Sequence, residues 1–90
     1  MKVTEFAAET TELLNLMAAA LKGHHPYIQG TVLADLLAMF LAGHYLADNP
    51  EETDKMREAL LTAHIAQVRR LIPRNEKLII EGLSKTMRKQ

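Results

Sequence analysis

The sequence predicts an all-α protein, and three observations carry that reading. Apolar residues recur at three- and four-residue spacing along most of the chain, no stretch alternates apolar with polar residues as a half-buried strand does, and no cluster of β-branched residues occurs. Helix breakers at Gly23, in the Pro26 to Gly30 region, at Asn49-Pro50 and at Pro73 then divide the chain into four segments. Short connections between segments predict antiparallel neighbours. The expected architecture is therefore a small antiparallel bundle of three long helices plus a shorter C-terminal helix, one helical domain over residues 1–90.

The first segment, residues 3–22, places Val3, Phe6, Leu13, Met17 and Leu21 on one helix face with Glu5, Glu9 and Glu12 off it, and Gly23 stands where a C-cap is expected. The second is expected to begin at Pro26, whose ring is pre-set for a first helical turn, and to run to about Ala47; Thr31 is an alternative cap for a start at Val32. Its interior is unusual. Between residues 32 and 47 only Asp35, His44 and Tyr45 offer polar side chains, so apolar surface faces nearly every direction and calls for cover all round.

The third segment has the clearest start: Asn49 can cap, Pro50 suits the first helical position, and Glu51 and Glu52 complement the positive end of the helix dipole. Met56, Leu60, Ala63, His64, Val68 and Leu71 continue one stripe to Pro73, where a stop is expected. A fourth helix should open near Arg74 and Asn75, with Leu78, Ile79, Leu83 and Met87 as its apolar positions, and fray into Arg88, Lys89 and Gln90.

Composition narrows function mostly by exclusion. The chain is 48% hydrophobic and 24% charged, as an ordinary globular domain is, and its eleven basic and eleven acidic residues cancel, so no overall charge draws it to nucleic acid or anionic lipid. Cysteine is absent, which removes disulfides, thiolate metal sites and thiol nucleophiles and suits a cytoplasmic setting. The N-terminus lacks the basic and apolar runs of a signal peptide, and the most apolar stretch is too short and too polar for a membrane span. The single serine, Ser84, lies in no nucleophile elbow, and the four glycines, none grouped, form no phosphate-binding loop. No catalytic residue, cofactor or metal site is expected from these patterns.

Two features remain. Gly30, Ala34, Ala38 and Ala42 fall at strict four-residue spacing, a ridge of small residues that admits a second helix closely; it faces either the first helix or another subunit. A 90-residue monomer could barely surround the second helix, so a homo-oligomer, with a dimer favoured, is expected to use that ridge as its interface. The second feature is a candidate polar site of Asp35, His64, His44 and Asp48. Asp35 needs a donor on so apolar a helix, with Arg57, Arg69 and Arg70 as candidates. Counting outward from Asn49-Pro50 along two antiparallel helices sets Asp35 level with His64, so a stabilising contact is expected between them with the carboxylate orienting or charging the imidazole, and leaves His44 and His64 about 13 Å apart along the axis. His24-His25 reads as an exposed loop, with His25 able to cap the second helix.

Charge is unevenly laid out. Residues 48–58 carry five acids and two bases, net −3, and residues 69–90 carry seven bases and two acids, net +5. The expectation is that these poles meet, within one chain or between copies. Any nucleic-acid binding by the basic segment would be weak, non-specific and salt-sensitive. The function expected from the sequence is a self-associating interaction or accessory module without catalysis. The alternative is a helical enzyme or a metal- or ligand-binding protein using Asp35, His44 and His64.

Overall fold

The computed structural model describes residues 2–88, with side chains through Lys85. It is all-α: three helices, α1 (Val3–Leu21), α2 (Pro26–Ala42) and α3 (Pro50–Arg88), and no strand among the described residues. The chain divides into two compact units, Met1–Ala38 and Met39–Gln90.

In the first unit, the Glu5 carboxylate reaches back to the Lys2 amide at 3.4 Å and so occupies one of the free donors at the start of α1. The α1 end is closed by the Lys22 amide, which donates to Ala18 and Ala19 carbonyls, and by Gly23, whose φ of 82° is open to glycine and strained for other residues. His25 caps α2 as expected: its Nδ1 accepts the Tyr27 amide proton at 3.0 Å, so the ring proton of the neutral imidazole sits on Nε2. Pro26 follows at the first helical position, where its missing N–H costs nothing. Gln29 Nε2 donates to the Leu21 carbonyl at 2.7 Å and ties the start of α2 to the end of α1.

The second unit corrects two boundaries. The second helix stops at Ala42 and not near Ala47, because Gly43 follows and the His44 carbonyl, both backbone groups of Leu46 and the Asn49 carbonyl are taken up by Arg57 and Thr53 of α3. The helix break predicted at Pro73 does not occur: α3 is one helix of 39 residues, with Pro73 inside it and no separate fourth helix. Proline there removes the bond to the Arg69 carbonyl, a cost of about 3 kcal/mol. Strong helix formers on both sides, Arg69, Arg70 and Leu71 before and Glu76, Lys77 and Leu78 after, carry the helix through.

Among the described residues no apolar side chain is fully buried, and the one buried residue is Thr53, 3% exposed. The half-buried positions of α3 are Met56, Arg57, Leu60, Leu61, His64 and Leu71, all in its N-terminal two thirds. Beyond them Ile72, Leu78, Ile79, Ile80 and Leu83 are exposed.

Candidate functional site

The most ordered polar arrangement lies in the second unit, where residues 43–49 lie against the first two turns of α3. Asn49 caps that helix, its Oδ1 accepting the Glu52 amide proton at 3.1 Å. Thr53, one residue further on, clamps the connection: its hydroxyl oxygen accepts the Leu46 amide proton at 3.0 Å, and its proton is shared between the Asn49 carbonyl at 2.9 Å and the Leu46 carbonyl at 3.2 Å. Arg57, one turn on, closes the end of α2. Its Nε donates to the Leu41 carbonyl at 2.9 Å and the His44 carbonyl at 3.0 Å, and Nη2 to the Ala42 carbonyl at 2.9 Å. The last carbonyls of a helix have no partners within it and carry the negative end of its dipole, so a guanidinium fork satisfies both needs.

Phe40 is the aromatic centre of the same unit. The His44 ring lies edge-on to it, centroids 4.6 Å apart and planes at 64°, and the His64 ring lies 5.1 Å away at 59°. Both imidazoles are anchored alike: His44 Nδ1 donates to the Phe40 carbonyl and His64 Nδ1 to the Leu60 carbonyl, each at 2.8 Å. A carbonyl can only accept, so Nδ1 of each ring carries a proton, and in the neutral tautomer with that proton Nε2 is the acceptor or ligand.

Of the four residues of the candidate polar site, His44 and His64 are thus brought to one aromatic ring. The axial count that separated them assumed helix up to residue 47; with α2 ending at Ala42, His44 lies in the connection folded onto α3. Asp48 is exposed in the turn before Asn49, and Asp35 is exposed on α2 in the first unit. Of the arginines considered for Asp35, Arg57 is committed to the carbonyls closing α2, and Arg70 donates to Gln67 Oε1. The ridge of Gly30, Ala34, Ala38 and Ala42 is exposed along its length, and a Cβ built on Gly30 meets nothing within 4 Å.

Thr53, Arg57 and Phe40 are the residues that sequence reasoning did not place in this arrangement. The available signal was Gly43: a glycine in Leu41-Ala42-Gly43-His44 marks a helix end, and a helix ending there leaves carbonyls that a nearby arginine can satisfy.

Chemically, two imidazoles without a third ligand make an incomplete metal site, and no group of three or more His, Cys, Asp or Glu able to hold an ion occurs among the described residues. A depression of 180 Å³ beside the clamp, lined by Tyr45, Leu46, Pro50, Asp54 and Arg57, is smaller than typical small-molecule sites. No helix among the described residues is long and apolar enough to cross a membrane. No family model matches the chain, and neither the curated proteins nor the solved structures contain a significant match to it.

Proposed function

We propose that this chain is a self-associating helical module, most simply a two-fold homodimer, that serves as an interaction or accessory component without catalysis of its own. The observation that carries the reading is the missing core: a domain stable as a monomer encloses a cluster of fully buried apolar side chains, and none is buried here among the described residues. α2 supports it in particular. Val32, Leu33, Leu36, Met39 and Phe40 are all exposed although they project in several directions around the helix, and the small-residue ridge of Gly30, Ala34, Ala38 and Ala42 stands open beside them. On this reading the ridge is an oligomer interface, the antiparallel bundle expected from the sequence belongs to the assembly, and the cysteine-free composition fits a cytoplasmic protein.

Light scattering coupled to size exclusion at micromolar concentration tests it. A dimer or larger species is expected, shifted toward monomer by Ala38→Glu. A stable, folded monomer of 10.1 kDa would overturn the proposal.

A further inference from the structure

The middle and C-terminal part of α3 carries a second apolar surface, separate from the ridge on α2. Ile65, Val68, Ile72, Ile79 and Leu83 follow one another at spacings that keep them on one side of the helix, and each is between 43% and 62% exposed. With the half-buried Leu61 the stripe extends over about 33 Å of helix, at 1.5 Å per residue. Asn75 interrupts it near its middle. Along one edge lie Arg69 and Glu76, of opposite charge and seven residues apart, neither with an ionic partner among the described residues.

We infer that this stripe is covered by the same stripe of a second copy, running antiparallel, with the two-fold axis passing between Ile72 and Pro73. The inference rests on the self-association proposed above and adds to the ridge on α2 a second contact surface, with a direction and a register.

Charge complementarity selects the arrangement. In a two-fold antiparallel helix pair the same edge of each helix faces its counterpart, so the edge bearing Arg69 and Glu76 meets itself reversed. With the axis between residues 72 and 73, Arg69 of each copy falls level with Glu76 of the other, and both pairs form by symmetry. The same register brings the apolar residues close to level, within about 1.5 to 3 Å along the axis at 1.5 Å per residue: Ile72 near Ile72, Ile65 near Ile79, Leu61 near Leu83 and Val68 near Asn75. A parallel pair would set the charged edge against the opposite edge of the partner, which carries Leu71 and Leu78, and would leave all four charges unpaired. Asn75, a polar residue within an apolar seam, opposes sliding to other registers. Pro73 lies off the stripe, so its ring does not enter the seam.

Single cysteines in this cysteine-free chain test the geometry. With a short bis-maleimide, Ile72→Cys should cross-link rapidly within the dimer. Leu83→Cys should not, since its two copies would stand about 32 Å apart at 1.5 Å per residue. Arg69→Glu should weaken the dimer by about tenfold in dissociation constant, and Arg69→Glu with Glu76→Arg should return it to within about threefold of the parent. A dimer by light scattering that fails to cross-link through Ile72→Cys, or that cross-links through both positions, overturns the antiparallel seam and leaves self-association standing. So does a dimer weakened by Arg69→Glu and not recovered in the double exchange. A parent chain that is monomeric overturns both.

Discussion

Arg57 closes the C-terminal end of α2 from sixteen residues away, its Nε donating to the Leu41 carbonyl at 2.9 Å while Nη2 reaches Ala42. A charged fork thereby does what a helix end otherwise obtains from water or a glycine cap. Replacing Arg57 by alanine leaves the half-buried His44 carbonyl without its donor and strips the charge from the Leu41 and Ala42 carbonyls, which should cost about 1–2 kcal/mol, read as a lowered urea midpoint. Arg57→Lys should recover only part, because an ammonium on a flexible stem cannot hold three carbonyls in a fixed fork. An alanine variant as stable as the parent would show that water serves those carbonyls equally well.

Thr53 is the complementary clamp, and its burial makes its hydroxyl difficult to replace. Thr53→Val keeps the shape and removes both hydrogen-bonding roles, which leaves the Leu46 amide unpaired at a cost of about 1–3 kcal/mol. Amide exchange at Leu46 should accelerate in that variant, while Thr53→Ser should keep it slow. Unchanged exchange at Leu46 in the valine variant would contradict the clamp.

Pro73 sits within a helix that continues past it, so alanine there should restore the bond to the Arg69 carbonyl. Pro73→Ala is expected to raise the melting temperature, by an amount equivalent to at most about 3 kcal/mol, and not to lower helical ellipticity. A fall in stability would mean that the proline performs a structural task that the helix alone does not require.

His44 and His64 share the Phe40 ring and present Nε2, yet they are two ligands where a structural zinc site takes four. Titration calorimetry with zinc should find no tight stoichiometric binding. Tight binding abolished by His44→Ala or His64→Ala would replace the non-catalytic reading with that of a metal- or ligand-binding protein built on Asp35, His44 and His64.

The local code was sufficient for much of the secondary structure. Three-and-four periodicity, Gly23 as a stop, His25 and Pro26 as one start, and Asn49 and Pro50 as another are interactions between residues within one turn of each other, so they are visible in a linear string. Pro73 is a local balance as well: the strong helix formers on both sides outweigh the lost bond, which a rule that treats every proline as a stop does not weigh. Tertiary context decided the rest. Where α2 ends was decided by Arg57 and Thr53, which lie on another helix and capture the backbone of residues 41–49 at sequence separations of four to sixteen. The meeting of His44 and His64 at Phe40 followed from that early end, because a residue counted along a helix and the same residue in a folded-back connection occupy different places. Periodicity reads what a residue shares with its neighbours in sequence; which backbone a distant side chain will satisfy becomes definite only once the chain has folded.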